Sequence, residues 1–125
     1  MIIDSNLIIY GSEPAHAGLR GYVRGLNLSV SAISLVEVLG YHKLTDADRR
    51  YFEGIFASFA ILPITDAVVA SAVELRQARK MSLGDSLIAA TALLARRPLL
   101  THNVKDFAWI PGLTVVDPLA GGDPA

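Results

Sequence analysis

Residues 27–39 read Asn27-Leu28-Ser29-Val30-Ser31-Ala32-Ile33-Ser34-Leu35-Val36-Glu37-Val38-Leu39, and they carry the pattern from which the fold is inferred. Asn27 to Ser31 is a short, partly β-branched run bounded by turn residues, the mark of a buried strand. From Ala32 the apolar residues recur at helical spacing, and a helix is predicted over about 32–43. The same succession repeats on both sides. Met1 to Ile3, Ala60 to Pro63, Pro98 to Thr101 and Leu113 to Val116 read as further buried strands. Segments of helical period occupy about 14–25, 45–59, 65–80 and 84–97. Such alternation implies parallel strands joined by helical crossovers. The expected fold is therefore a three-layer α/β/α domain around a central, mostly parallel sheet of about five strands.

Helix starts are chemically marked. Pro14 suits a first turn, Thr45 precedes Asp46 and Asp48, and Thr65 precedes Asp66. Ser82 and Gly84 interrupt the pattern, so one helix should close near Lys80 and another open at Asp85. One domain is expected over residues 1–118, followed by a short flexible tail over 119–125 that contains Gly121-Gly122-Asp123-Pro124-Ala125.

Composition narrows the function. A chain of 125 residues, 52% hydrophobic, is sized for a single domain. Its formal net charge of -1 provides no global basic field, so an anionic ligand must be held locally. Without cysteine there is no disulfide framework, thiolate metal site or cysteine nucleophile, which fits a reducing cytoplasm. Met1-Ile2-Ile3 runs straight into Asp4, unlike a signal peptide, and no apolar run nears the ~20 residues of a membrane span. A cytoplasmic protein that makes no membrane contact is expected. Mean hydropathy of +0.43 is high for a small solitary domain and points to a protein partner surface, either a homodimer or another chain.

Four acids stand where ligands bind in parallel α/β sheets, at strand ends or in the first turns that follow. Asp4 ends the first strand, where it serves either as a helix N-cap or as a ligand. Glu37 lies in a nearly all-apolar helical stretch, where a buried carboxylate needs a cation, a hydrogen-bond network or an open cleft. Asp85 opens a helix that is apolar nearly all round, and the helix dipole alone favours an acid there. Asp106 falls in a loop beyond the strand ending at Thr101. If these side chains converge, their repulsion calls for Mg²⁺, or Mn²⁺ in its place, both of which prefer oxygen ligands. An ion so held activates water toward a phosphodiester.

Four segments carry a resemblance: Met1-Ile2-Ile3-Asp4-Ser5-Asn6-Leu7-Ile8-Ile9-Tyr10; Ser34-Leu35-Val36-Glu37-Val38; Ser82-Leu83-Gly84-Asp85-Ser86-Leu87-Ile88-Ala89-Ala90-Thr91-Ala92; and Leu100-Thr101-His102-Asn103-Val104-Lys105-Asp106-Phe107. In this order and spacing they resemble the motifs of PIN-domain ribonucleases of the VapC type, over residues 1 to about 117. The resemblance implies the toxin of a toxin–antitoxin pair, an Mg²⁺-dependent endoribonuclease that dimerises and is silenced by an antitoxin. It implies that Asp4, Glu37, Asp85 and Asp106 hold the metal, with Ser5, Asn6, Thr101 and Asn103 in support. Some relatives carry the fourth acid where Asn103 stands, so Asp106 and Asn103 both remain candidates. Relatives with a second acid just after the Asp85 position differ from this chain, which leaves one or two ions open.

His16 and His42 lack metal-ligand spacing on any one element. His102 and Lys105 lie inside the last motif and are candidates for RNA contact. Arg76, Arg79 and Lys80, like Arg96 and Arg97, complement helix C-termini or meet RNA backbone. Trp109 and Tyr10 pack in the fold or stack on a base. The rival readings are a catalytically inactive PIN-like interaction module, a receiver-like signalling domain and a haloacid-dehalogenase-like phosphatase. The last two want paired acids after the first strand, where Ser5 and Asn6 follow Asp4.

Overall fold

Ile2 and Ile3 are the whole of the first strand, β1 (Ile2–Ile3), and their side chains enter opposite sides of the sheet. The computed structural model describes residues 1–121. The further strands are β2 (Ser29–Ser31), β3 (Ala60–Leu62), β4 (Leu99–Leu100) and β5 (Val115–Val116). The helices are α1 (Ser5–Gly11), α2 (Ala17–Arg24), α3 (Ala32–Leu39), α4 (Asp46–Ala57), α5 (Asp66–Ala78), α6 (Leu83–Ala95) and α7 (Val104–Phe107), with a 3₁₀ turn at Pro14–His16. All pairings are parallel, in the order β3-β2-β1-β4-β5. Strand alternation sends Ile2 and Leu99 into one apolar layer with Val68, Ala72, Ile88 and Ala89, beneath α5 and α6. Ile3, Val30 and Leu100 enter the other, with Leu7, Leu19, Phe52 and Phe56 from α1, α2 and α4. The three-layer α/β/α prediction therefore holds.

The marked caps form as chemistry requires. Thr45 Oγ1 accepts from the Asp48 N–H at 3.1 Å, Thr65 Oγ1 from Val68 at 3.2 Å and Ser82 Oγ from Asp85 at 3.1 Å. The Ser82 cap moves the start of α6 to Leu83 and places Gly84 inside its first turn instead of at a break. Helix 32–43 is shorter than predicted, because α3 gives way at Gly40. β3 is an edge strand with Ile61 46% exposed, so its expected burial is not met. Leu119 packs against the second apolar layer, and residues 122–125 of the expected tail lie outside the described residues. No helix among the described residues is long and apolar enough to cross a membrane.

Strand order reverses direction between β1 and β4: β2 and β3 are added on one side, β4 and β5 on the other. In open parallel sheets a crevice forms at this point, outside the carboxyl ends of the strands. Asp4 leaves β1 there, and Thr101 leaves β4 beside it.

Candidate active site

Asp4 has the extended backbone of an N-cap, yet its side chain caps nothing. Its Oδ2 instead accepts a 2.7 Å hydrogen bond from Thr101 Oγ1 across the strand reversal, and Thr101 Oγ1 accepts from the Asn103 N–H at 3.0 Å. Asp4 is 3% exposed. Burial, then the negative charges of Asp85 and Glu37, push its carboxyl up to about 6, against the downward pull of the Thr101 and Ser5 hydrogen bonds. Asp85, in the first turn of α6, is also raised, by burial first and then by Asp106 and Glu37, while its hydrogen bond to Ser82 opposes the rise. Asp85 thus feels all three other acids: its own charge acts on Asp4, and those of Asp106 and Glu37 act on it.

Glu37 is exposed, not buried as the apolar run around it suggested. One face of α3 opens onto the crevice, and Val36 beside it is 65% exposed. What holds Glu37 is Ser5, whose Oγ lies 2.7 Å from Glu37 Oε1 and 2.7 Å from Ser34 Oγ. With a single proton to give, Ser5 donates to the carboxylate and accepts from the Ser34 hydroxyl. Ser34 stands one turn before Glu37 on α3, a spacing legible in the sequence but not singled out there. Gly84 completes the seat, since a Cβ at this position would collide with Glu37 Oε2. Gly84→Ala is therefore expected to swing the flexible Glu37 side chain off Ser5. Stability should change by less than about 1 kcal/mol, as alanine favours the helix, while affinity for added Mn²⁺ falls about tenfold. A Mn²⁺ titration beside a thermal melt measures both; an unchanged affinity would show that the Glu37 position is immaterial.

The remaining candidates are placed as follows. Asp106 is exposed and lies in α7, a helix of four residues where the sequence pattern predicts a loop. Asn103 precedes α7 and its side chain makes no capping bond. Both side-chain polar atoms of Asn6, in the first turn of α1, are buried with no hydrogen-bond partner. His102 Nδ1 lies 3.2 Å from both carboxylate oxygens of Asp117, and its ring meets Tyr10 edge-on at 5.7 Å. Lys105 is exposed beside Asp106. Arg97 turns away from the helix end to which the sequence assigned it: it donates to Ser29 Oγ at 2.6 Å and to the Asn27 carbonyl at 3.2 Å, at the start of β2.

The donors are all carboxylate oxygens, the set that Mg²⁺ and Mn²⁺ prefer. The upward shifts at Asp4 and Asp85 come first from burial and then from neighbouring carboxylates, and a divalent ion would offset both. Among the described residues no three such side chains are drawn up as a closed cage, and Glu37 and Asp106 are the exposed members of the set.

Residues 1–112 match the family model described as PIN domain. The chain belongs to the PIN-domain family. A relative named ribonuclease VapC, from Rickettsia bellii, is 31% identical over 127 residues, covering 93% of this chain and 94% of the relative. Among solved structures, this PIN domain is similar to a toxin–antitoxin complex from Klebsiella pneumoniae, with a TM-score of 0.74 and 30% identity over 94% of this chain and 96% of that one. It also shares its fold with VapBC2 from Rickettsia felis bound to a promoter DNA fragment, at a TM-score of 0.81 and 20% identity over 93% and 96% of the two chains. The strand order excludes the receiver-like alternative, whose sheet runs 2-1-3-4-5.

Proposed function

We propose that this PIN domain is a toxin-type endoribonuclease that depends on Mg²⁺, with Mn²⁺ as a substitute, and hydrolyses RNA phosphodiester bonds. The observation that carries the reading is the placement of the acids: Asp4 leaves β1 where the strand order reverses, Gly84 beside Asp85 abuts the Glu37 carboxylate, and Asp106 shares a depression with Asp85. The names of the relatives, ribonuclease VapC among them, support it.

In this reading Asp4, Asp85, Glu37 and Asp106 hold the metal. Asp106 is preferred over Asn103 because its charge already acts on Asp85. When bound, the ion supplies Lewis acidity and lowers the pKa of an attacking water. The chain supplies orientation. Thr101 fixes Oδ2 of Asp4 and so sets the orientation of the carboxylate. Ser5 and Ser34 hold the Glu37 carboxylate toward α6. Asn6, whose buried amide has no hydrogen-bond partner in the first turn of α1, is kept as a supporting residue.

Partners follow from surface chemistry. Val36, Leu83, Val69 and Val73 are between 47% and 65% exposed, and Val69 and Val73 stand one turn apart on α5. They fit the expectation of a homodimer drawn from the high mean hydropathy. A groove of about 370 Å³ between α1, α3 and α4, lined by Ile9, Val38, Tyr41 and Phe52 and ending at Glu37, suits an antitoxin segment that silences the site.

The deciding experiment incubates the purified protein with mixed structured RNAs in Mg²⁺ or Mn²⁺, with and without EDTA. Internal cleavage that EDTA abolishes is expected. Equal cleavage in both conditions, or none with any divalent ion, would overturn the proposal and favour an inactive interaction module.

A further inference from the structure

An open trough of about 630 Å³ runs from the junction of α5 and α6 to α7, with Arg76, Arg79, Lys80 and Lys105 on its walls and Asp85 and Asp106 within it. A net charge of -1 for the whole chain makes four cations in one depression a local concentration. Three follow from the end of α5, and helix-dipole complementarity alone would explain them if they turned back toward their own carbonyls. They do not act as one such group. Lys105 comes from a separate helix, and although the Arg79 backbone N–H closes α5 on the Leu75 carbonyl, its guanidinium lies 5.4 Å over the Trp109 ring. Trp109 is in turn fixed by its Nε1, which donates to the Asp106 carbonyl at 3.0 Å. Arg76 Nε donates to the Met81 carbonyl at 3.2 Å and secures the turn between the two helices. None of the four cations forms an ion pair among the described residues.

A polyanion nearing four carboxylates is repelled unless fixed cations offset them along its path. We propose that this trough is the track for the phosphodiester backbone of single-stranded RNA on one side of the scissile bond, with Arg79 and Lys80 on one wall and Lys105 on the other. Trp109 offers a face on which a base can stack once Arg79 moves to a phosphate. The proposal rests on the reading of the acids as a nuclease centre, and adds the direction from which the substrate enters.

Binding is separated from cleavage by working in the Asp4→Asn background in Mg²⁺, with a labelled oligouridylate as the probe and fluorescence anisotropy as the readout. Adding Arg79→Gln, Lys80→Gln and Lys105→Gln together should raise Kd at least about tenfold. It should also flatten the dependence of log Kd on log salt by about 2, from three lost phosphate contacts at about 0.7 each. Arg20→Gln with Arg24→Gln, which line a separate pocket beside Asn27 and Ser58, should leave both quantities unchanged. The single tryptophan is a built-in reporter, and its emission should shift on addition of the oligouridylate. Because the three substituted side chains are exposed, the melting temperature should stay put, and Lys105→Gln alone gives a milder variant if the triple one fails to fold. The track is overturned if the triple variant binds as its parent does, if the parent does not bind, if the Arg20 and Arg24 control loses as much, or if polyglutamate shifts Trp109 emission as strongly as RNA. Unchanged RNA binding beside EDTA-sensitive cleavage by the wild type would sink the trough alone. Metal-independent or absent cleavage in the assay above would sink the nuclease reading.

Discussion

Asp4→Asn is expected to reduce metal-dependent RNA cleavage at least about a thousandfold, a loss of about 4 kcal/mol of transition-state stabilisation, while raising the melting temperature of the metal-free protein. Both effects come from one carboxylate. Its folded pKa of about 6 lies above the ordinary 3.8, so the native state takes up the Asp4 proton more readily than the unfolded chain does. The stability linked to that proton is fully present below about pH 4 and is lost as pH rises through 6. At neutral pH the ionised, buried side chain withholds about 3 kcal/mol. Asparagine has no proton to lose, and its Oδ1 still accepts from Thr101. The melting temperature at pH 7 should therefore rise by about 10 °C, and the fall in stability of the wild type between pH 4 and 7 should flatten in the variant. Melts across that range in EDTA test the point. A variant that melts well below the wild type at pH 7 would make Asp4 a structural residue.

Thr101→Val is expected to have the opposite sign on stability. Valine has nearly the shape of threonine, so the packing of this fully buried position survives. The hydroxyl, however, joins two groups: it donates to Asp4 Oδ2 and accepts from the Asn103 N–H. Removing it strands both, at about 2–4 kcal/mol. Since the Thr101 bond pulls the Asp4 pKa down, its loss moves that pKa further up, and the pH needed for half-maximal cleavage should move up with it. Thr101→Ser should restore much of both properties. Denaturant melts and a pH–rate profile of the three proteins test the linkage; a profile that does not move while stability drops would confine Thr101 to a structural role.

Both predictions turn on features that the sequence disclosed unevenly. The order of strands and helices is readable because the strands are short and mostly apolar and several helices are announced by a Ser or Thr cap, as at Ser82, Thr45 and Thr65. The four acids are readable because Asp4 ends a strand, Asp85 opens a helix, Glu37 interrupts an apolar helical run and Asp106 lies in the last motif, beyond β4. The exposure of Glu37 was not, because local hydrophobicity cannot say that one face of α3 borders a crevice; that is set by the Ser5 and Gly84 contacts, from residues 32 and 47 positions away along the chain. The Thr101–Asp4 bond spans 97 positions and depends on β1 and β4 being neighbours, which follows from sheet order alone. The partners of Arg97, the Asn27 carbonyl and Ser29 Oγ, are hidden from the sequence for the same reason, since they lie just before and at the start of β2. Asp106 was read as loop because a four-residue helix has too few positions to show a period.

The claim on which the rest depends is that these acids together form one divalent-cation site. Calorimetric titration of Mn²⁺ into the EDTA-stripped, dialysed protein at pH 7 tests it without reference to any RNA. Saturable binding in the wild type, lost in both Asp4→Asn and Asp85→Asn while each variant remains folded, is the predicted result. No binding by the wild type, or binding that survives both substitutions undiminished, would contradict it.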